Sequence, residues 1–335
     1  MLISDLGEFG LIERISSAMK QTLPDKVVGI GDDCAVIPIS KELSYLVTTD
    51  ALVEDVHFIK NKISPQNLGH KSLAVNLSDI AAKGGTPHSV FLTLSLPKNL
   101  EVEWIDQFIA GFHNLASKYN TLLLGGDITG STSKISINVT VIGSAHPDKI
   151  KLRSTAKLGD IICVTDSLGD SGAGLAAILG NFKETNESNY LINRHYRPEP
   201  HLAQGEFLAQ FNSVHAMMDV SDGLYSDIKR IITASHCGAT INMNQMPISD
   251  QLCRFSEDNH LDPLEIATIG GEDYCLLLTV SPEAFDDVSK AFYQKFKHKL
   301  CSIGNITLPK ADPIYIRNNK TFSFKQKTFN HFGEN

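Results

Sequence analysis

Apolar residues recur at helical spacing in two segments of the chain, and each segment predicts an amphipathic helix. The first runs from residue 2 to about residue 20 and carries the apolar positions Phe9, Ile12, Ile15 and Met19. The second spans residues 101–119 and carries the apolar positions Trp104, Phe108, Phe112, Leu115 and Tyr119.

A third helix is predicted from the residues at its two ends. Ser64 is a good N-cap, and Pro65 suits the first helical position because it has no N–H to leave unpaired. Gly84 and Gly85 end the segment. This helix therefore includes Asp79 in its last turn.

Runs of apolar and β-branched residues, bounded by glycine and acidic residues, predict strands. In the first half they are VVGIGDDCAVIPI, YLVTTDALV, SVFLTLSL, TLLLGGD and KISINVTVIGSA. In the second half they are DIICVT, VHAMMD, CGATINM, EDYCLLLTV, KLCSIGNI and PIYIRN. Helices alternate with these strands without strict repetition, so the predicted fold class is α/β (α+β).

Length predicts two domains, because 335 residues are more than one hydrophobic core usually organises. The chain turns polar and basic around Pro147 to Gly159, and a buried-looking strand restarts after it. We place the boundary there and expect an N-terminal domain of residues 1–148 and a C-terminal domain of residues 149–335.

The charge balance limits the kind of partner. The net charge is −8, from 30 Lys and Arg against 38 Asp and Glu. Proteins that grip a nucleic-acid backbone usually present basic surfaces, so we expect no nucleic-acid partner. An acidic protein can still bind phosphates when divalent cations lie between them.

Cysteine usage predicts a reducing compartment. The six cysteines are far apart and form no C-x-x-C pair, which argues against a zinc site and a disulfide framework. The N-terminal stretch lacks the basic start and apolar run of a signal peptide, and no stretch reaches 18 apolar residues. We therefore expect a cytoplasmic protein without a membrane partner.

Acidic residues lie where predicted strands end or where small-residue helices run. They are Asp32, Asp33, Asp50, Asp79, Asp127, Asp219, Asp222, Glu272 and Asp273. Magnesium takes oxygen ligands, keeps much of its water and is often held by one or two carboxylates plus substrate phosphates. If the fold gathers these dispersed acids, they can hold Mg²⁺ against a nucleotide.

Each residue also has a purely structural explanation. One Asp after a strand is more often a turn former or a helix cap than a metal ligand. Asp79 could pair with Lys83 one turn on, and Asp222 could cap a helix beginning at Leu224. His57 could be a hydrogen-bonded structural histidine, and Arg153 an ordinary surface cation. It is the co-occurrence of five acidic patches that favours a metal site.

Common phosphate-binding signatures are missing. The chain has no G-x-x-x-x-G-K-[ST], no kinase catalytic-loop pattern and no G-x-G-x-x-G after a strand. GDSGAGL resembles a phosphate-cradling turn, but such strand-to-helix turns are common and no lysine adjoins it. A site that uses metal ions in place of many cationic side chains fits this pattern.

In order along the chain, GIGDDCAVI, TTDALVEDVHF, KSLAVNLSDIAAKGGTP, LLLGGDIT, LRSTAKLGD, MDVSDGL, GGEDY and FNHF resemble the thiamine-monophosphate kinase family. This family belongs to the superfamily of aminoimidazole-ribonucleotide synthetase. The stretches span residues 29 to 332, and VHF, MDVSDGL and GGEDY together favour this family over its relatives.

The resemblance implies a fold and an activity. The N-terminal sheet would join that of a second subunit in a dimeric β-barrel, and the C-terminal domain would be ferredoxin-like. The reaction would be ATP-dependent phosphorylation of thiamine monophosphate to thiamine diphosphate, by direct in-line transfer assisted by several Mg²⁺ ions. Since a phosphate oxygen of the substrate is already a nucleophile, no residue is assigned as a base.

Motif positions also imply site residues. Magnesium would be surrounded by Asp33, Thr48, Thr49, Asp50, Asp79, Asp127, Asp219 and Asp222. ATP would contact Gly126, Asp127, Arg153 and Ser221. Thiamine monophosphate would be held by His57, Glu272 and the aromatic residue Phe329 in the tail.

The chain differs from the family pattern at several positions, and its tail reads TFNHF where Gly-aromatic-Asp-His-Phe is commoner. Asp55 stands where the family usually has Gly, Ile128 replaces a common Thr, and Gln326 falls where some members have Trp. Two alternatives stay open: another ATP-dependent enzyme of the superfamily, or a non-catalytic sensor of ATP or thiamine phosphate.

Overall fold

The computed structural model describes residues 2–19 and 22–324, except the side chain of residue 9. Its helices are α1 Ile3–Met19, α2 Pro65–Ala82, α3 Val102–Lys118, α4 Asp170–Leu179, α5 Asn186–Tyr196, α6 Leu202–Ala209, α7 Leu224–Ala234, α8 Asp250–Asp258, α9 Pro263–Ile269 and α10 Phe285–Phe296. Its strands are β1 Ala35–Pro38, β2 Ser44–Val53, β3 Thr86–Pro97, β4 Leu122–Ser131, β5 Ser136–Ala145, β6 Ile161–Val164, β7 Val214–Asp219, β8 Gly238–Asn242, β9 Leu276–Val280, β10 Cys301–Thr307, β11 Ile314–Arg317 and β12 Lys320–Phe322.

The first half forms a five-stranded sheet in the order β1-β2-β5-β3-β4. The β3–β4 pair is parallel and the other pairs are antiparallel. Along β5 the side chains of Ile137, Val139 and Val141 are buried on one face, which is the alternation that the sequence predicted. Over the described residues this sheet is open, with β1 and β4 at its edges.

Within the described part of the second half, up to residue 324, the strands form a seven-stranded sheet in the order β12-β11-β8-β10-β6-β9-β7. Only the β8–β11 pair among these is parallel. Strands β6, β7 and β9 are almost wholly buried, because helices cover the sheet. Asp219 is the last residue of the buried strand β7, so this strand carries a carboxylate into the interior.

Helix α2 lies between the two sheets. It packs against α3, β2 and β5 of the first half and against α6 and β7 of the second. Most of its residues are buried, as expected for a helix that is covered on all sides. One apolar cluster therefore runs from Leu77 of α2 to Ile137 of β5 and to Leu208 and Val280 of the second half.

The predicted ends of α2 are confirmed. Ser64 is its N-cap, with a side chain that accepts a hydrogen bond from Asn67 N, and Pro65 is its first residue. The helix ends at Ala82 and is capped by Lys83. Gly84 then takes the left-handed conformation, with φ of 67°, and the chain leaves into β3.

The other two helices predicted from periodicity are also present. Helix α3 matches the segment 101–119, and α1 matches the segment 2 to 20 with a kink at Gly7, where φ is 65°. Between Arg197 and Pro200 the chain turns from α5 into α6. None of the helices in residues 2–19 and 22–324 is both long and apolar enough to cross a membrane.

Candidate active site

Three carboxylates from distant parts of the chain meet beside α2. Asp33 comes from the turn before β1, Asp79 from the last turn of α2 and Asp219 from the end of β7. One oxygen of each lies within 4.8 Å of the others. Asp33 and Asp219 are almost completely inaccessible to solvent. We call these three residues the acid cluster.

Hydroxyl and amide groups of neighbouring elements orient the acid cluster. Ser78 Oγ donates to Asp219 Oδ2 at 2.6 Å, and Thr48 Oγ1 of β2 donates to Asp79 Oδ2. Asp50 lies two residues after Thr48, on the same face of β2. Its backbone N–H donates to Asn76 Oδ1 at 3.1 Å. Strand β2 and helix α2 therefore face each other across the site.

The electrostatics of these acids favour a bound cation. Burial, with repulsion from Asp222 and Asp33, raises the pKa of Asp50 to about 6. Burial and the charge of Asp33 raise the pKa of Asp219 to about 7. Burial and the neighbouring carboxylates also raise the pKa of Asp79 well above its usual value. Carboxylates that repel one another in a buried site become fully ionised when a cation joins them.

This donor set fits Mg²⁺. The cluster offers only hard oxygen ligands, from carboxylates on three separate parts of the chain. Among the described residues, no other group of three acids, histidines or cysteines converges as closely. No cysteine or histidine belongs to the cluster, so the chemistry of the ligands disfavours zinc.

Two buried cations balance part of this charge. Lys83, which is inaccessible to solvent, pairs with Asp33 Oδ2 at 2.6 Å and with Asp32, and donates to Met217 O at 3.0 Å. Arg153 donates from Nε to Asp33 Oδ1 at 3.1 Å. Burial alone would raise the pKa of Asp33, but Lys83 and Arg153 outweigh it and lower the pKa to about 2.

Lys83 has a different role from the one weighed from the sequence. A pairing with Asp79 one turn earlier was the local alternative, yet its ammonium group turns to the Asp32–Asp33 turn instead. The signal that could have indicated this is a lysine directly after a helix whose last ten residues, LAVNLSDIAA, are mostly apolar or small. Such a lysine cannot reach solvent and needs buried acids.

The loop that carries Ser221 and Asp222 is held by α7. Asp222 pairs with Arg230, and its backbone N–H donates to Asp227 Oδ2 at 3.2 Å. Asp222 does not cap α7, since Gly223 occupies the N-cap position. Ser221 O accepts a hydrogen bond from Glu272 N at 2.7 Å, which ties this loop to the GGEDY segment.

Three predicted site residues lie apart from the acid cluster. Gly126 and Asp127 are on the exposed edge strand β4, and no hydrogen bond or ion pair between described residues joins Asp127 to the cluster. Thr49 points away from Thr48 and Asp50, and its hydroxyl contacts Val139 O at 3.2 Å. Phe329 lies outside the described residues.

A second polar group surrounds Glu272. Its Oε2 accepts from Lys71 Nζ at 2.9 Å and lies 3.2 Å from His195 Nδ1. Burial alone would raise the pKa of Glu272, but Lys71 and His195 lower it. His57 accepts a hydrogen bond from Val53 N at Nδ1, at 3.0 Å. The proton of neutral His57 is therefore on Nε2.

The backbone of the GGEDY segment is strained at two positions. Glu272 and Tyr274 have φ of 65° and 52°, a region that costs energy for residues other than glycine. Asp273 turns the opposite way and accepts from Gly169 N at 2.7 Å and Ser171 N at 3.2 Å. The N-terminus of α4 is thus occupied by Asp273, and GDSGAGL is a strand-to-helix turn without a phosphate cradle.

Comparison with known proteins identifies the class. Residues 31–145 match the family model of the AIR synthase related protein N-terminal domain, and residues 157–312 match that of its C-terminal domain. The first range contains all strands of the five-stranded sheet, and the second contains those of the other sheet up to β10.

Similarity to individual proteins is more specific. The chain is 38% identical to a thiamine-monophosphate kinase of Buchnera aphidicola subsp. Acyrthosiphon pisum over 97% of this chain and 98% of the relative. It is 36% identical to that of Escherichia coli K12, over 97% and 98%. The chain therefore belongs to the thiamine-monophosphate kinase family, and the resemblance seen in its motifs is confirmed.

The fold agrees with this assignment. A solved structure, AaThiL complexed with AMPPCP and TMP, superposes with a TM-score of 0.87 and 31% identity, and covers 99% of each chain. The two-domain α/β architecture of the AIR synthase type, predicted from the sequence, is thus confirmed.

Proposed function

We propose that this protein transfers the γ-phosphoryl group of ATP to thiamine monophosphate, giving ADP and thiamine diphosphate. The relatives with this name support the reaction, as does the neighbour complexed with AMPPCP and TMP. The observation that carries the proposal is the acid cluster of Asp33, Asp79 and Asp219, which faces β2 and lies beside the Ser221–Asp222 loop. Such a cluster suits the handling of nucleotide phosphates.

A phosphate oxygen of thiamine monophosphate attacks the γ-phosphorus of ATP. A new P–O bond forms as the bond from the γ-phosphorus to the β–γ bridging oxygen breaks, and ADP leaves with that oxygen. The second pKa of a phosphate monoester is about 6, so the nucleophile is largely dianionic at neutral pH and needs no base. The barrier is the approach of two anions, each like-charge pair at ~4 Å costing about 4 kcal/mol at intermediate dielectric.

Magnesium would be held by the acid cluster together with Asp50 and Asp222, with Thr48 as a further ligand. The family motifs also imply Thr49 and Asp127, whose side chains lie apart from the cluster in this structure. When bound, Mg²⁺ neutralises phosphate charge and aligns the β- and γ-phosphates for in-line attack. The chain's own part is to fix the ligand positions: Ser78, Thr48 and Asn76 orient the acids or the strand that carries them.

The remaining site residues are proposed contacts with the substrates. ATP would be contacted by Gly126, Asp127, Arg153 and Ser221. Thiamine monophosphate would be held by His57 and Glu272, with Phe329 stacking on a ring. His57 suits this role because its Nε2 carries the ring proton and can donate a hydrogen bond to a phosphate oxygen.

We also propose a homodimer whose N-terminal sheets form a shared β-barrel. Strand β4 supports it, since Leu122, Leu123, Leu124 and Ile128 are between 50% and 74% exposed on an open sheet edge. Light scattering after size-exclusion chromatography should then give about twice the chain mass of 36.7 kDa. A monomer mass at micromolar concentration would contradict the dimer.

Three further features remain proposals. The boundary between residues 148 and 149 is supported by the separation of the two sheets on either side of it. A ferredoxin-like C-terminal domain is supported by the mixed sheet covered with helices. A cytoplasmic location is supported by six cysteines without a disulfide, and cell fractionation tests it.

One experiment tests the reaction. Purified protein with ATP, Mg²⁺ and thiamine monophosphate should form thiamine diphosphate and ADP in equal amounts, and a chelator should stop the reaction. With γ-labelled ATP, the label should pass to the product without a phosphorylated protein that can transfer it. ATP consumption without thiamine diphosphate would favour another enzyme of the superfamily, and binding of both ligands without turnover would favour a sensor.

A further inference from the structure

Lys71 is a buried lysine that the proposed reaction does not use. Its side chain is 1% exposed and lies on α2, on the part of the helix that faces the second half of the chain. Nζ donates to Glu272 Oε2 at 2.9 Å and lies 3.3 Å from His195 Nε2. A buried ammonium group is costly unless such partners satisfy it.

These contacts fix the proton positions in the group. Lysine has only donors, so His195 Nε2 must accept from Lys71 and Nδ1 must carry the ring proton. Nδ1 lies 3.0 Å from Ser171 Oγ and 3.2 Å from Glu272 Oε2. Burial and the adjacent Lys71 lower the pKa of His195 to about 4, so the ring is neutral at physiological pH.

Glu272 is consequently held as an ionised acceptor. Its Oε2 accepts a hydrogen bond from Lys71 Nζ and lies 3.2 Å from His195 Nδ1, and its backbone N–H donates to Ser221 O. Lys71 cancels its charge, so this carboxylate is poorly suited to balance a cation such as the thiazolium ring. The oxygen that remains for a ligand is Glu272 Oε1, which can only accept hydrogen bonds.

Lys71 is separated from the acid cluster along α2. Lys71 and Asp79 are eight residues apart on α2, which is about 12 Å at ~1.5 Å per residue. A thiamine monophosphate molecule with its phosphate beside the cluster would place its aminopyrimidine toward Glu272. The exocyclic amino group of that ring is a donor and complements an acceptor.

We propose that Lys71 and His195 are positioning residues that present Glu272 Oε1 to the exocyclic amino group of the substrate and so select an amino- over an oxo-pyrimidine. This inference rests on the proposed kinase function. If Lys71 only packed against its neighbours, its replacement would not change which heterocycle the enzyme accepts. In this proposal, Lys71 and Glu272 together determine which heterocycle is accepted.

The test compares thiamine monophosphate with its oxo analogue, in which oxygen replaces the exocyclic amino group. Sites built to hydrogen-bond a substrate N–H reject an analogue without it strongly, so the wild type should favour the amino substrate by roughly a hundredfold or more in kcat/KM. In Glu272→Gln, Lys71 should attract the amide oxygen and turn the NH₂ group to the ligand. The preference should then reverse toward the oxo analogue.

Lys71→Met supplies the second arm. In Lys71→Met, the preference for the amino substrate should fall to about tenfold or less. In the double variant Lys71→Met/Glu272→Gln, the preference for the oxo analogue should be lost, because nothing then fixes the orientation of the amide. The KM for ATP should stay within about twofold in each variant, since uniform damage to the site would move it as well. Lys118→Met, which breaks an exposed pair with Glu199, is the matched control and should leave the preference unchanged.

The outcomes separate the inference from the function. A wild type that forms no thiamine diphosphate refutes the kinase proposal and this inference with it. A wild type that turns over, with an unchanged preference in Lys71→Met and an amino preference retained in Glu272→Gln, refutes the inference alone. If Lys71→Met does not fold, Glu272→Gln decides: a reversed preference supports the inference and a retained one overturns it.

Discussion

Replacing Asp79 by asparagine should lower kcat by at least about tenfold, because it removes one negative ligand from a site whose function is to gather cations around phosphates. The substitution preserves shape, and the asparagine oxygen can still accept the hydrogen bond from Thr48. Steady-state kinetics with saturating ATP and thiamine monophosphate measure the effect. Asp33→Asn and Asp222→Asn should behave in the same way.

Asp79→Asn should also change the stability of the protein, which activity measurements do not report. Burial and neighbouring carboxylates raise the pKa of Asp79, so the ionised group opposes folding above that pKa when no cation is present. Asp79→Asn should therefore be at least as stable as the wild type without metal. Adding Mg²⁺ should raise the melting temperature of the wild type but raise that of the variant less. Near-normal turnover in all three variants would remove the metal-cluster account.

Local sequence signals predicted the elements that carry the site. The ends of α2 follow from Ser64, Pro65 and Gly84, whose backbone preferences act within a few residues. Apolar and polar residues alternate along β5 because one face of the strand meets the core. The run of apolar residues in β7 corresponds to a strand that is buried almost throughout. These features depend on nearby residues, and for that reason a single sequence contains them.

The convergence of the acids could be anticipated, but local sequence signals could not establish it. Asp33, Asp79 and Asp219 meet because α2 is packed between the two sheets, and no local rule places a helix there. The resemblance to a family supplied that information, since the family's motifs already imply one site. Only the tertiary structure shows which carboxylate oxygens face one another and which face of β2 they meet.

Sequence reasoning missed the buried cations. Lys71 lies in α2 and Lys83 directly after it, and a lysine at either position suggests a solvent-facing side chain or a buried ion pair. Helical spacing favoured the first local partner of Lys83, Asp79, but its actual partners lie in the turn at Asp32 and Asp33. The partner of Lys71, Glu272, lies 201 positions away, and only the tertiary fold brings them together.

The buried pairing of Lys83 predicts the largest loss of stability. Lys83→Met should lower the free energy of unfolding by about 3–5 kcal/mol, because removing one partner leaves buried charge without compensation. Its ammonium group is inaccessible to solvent and pairs with both Asp32 and Asp33, and Arg153 alone can satisfy only part of that charge. Denaturant unfolding at neutral pH measures the change.

Two further variants show whether buried charge is the cause. Adding Asp33→Asn to Lys83→Met should recover part of the lost stability, because the double variant buries one fewer uncompensated carboxylate. Lys134→Met removes an exposed lysine that pairs with Asp55 at the surface and should leave the unfolding midpoint almost unchanged. If Lys83→Met and Lys134→Met unfold at the same denaturant concentration, Lys83 does not stabilise the Asp32–Asp33 turn. Wild-type stability with lost turnover would then assign Lys83 to the phosphate chemistry and not to the fold.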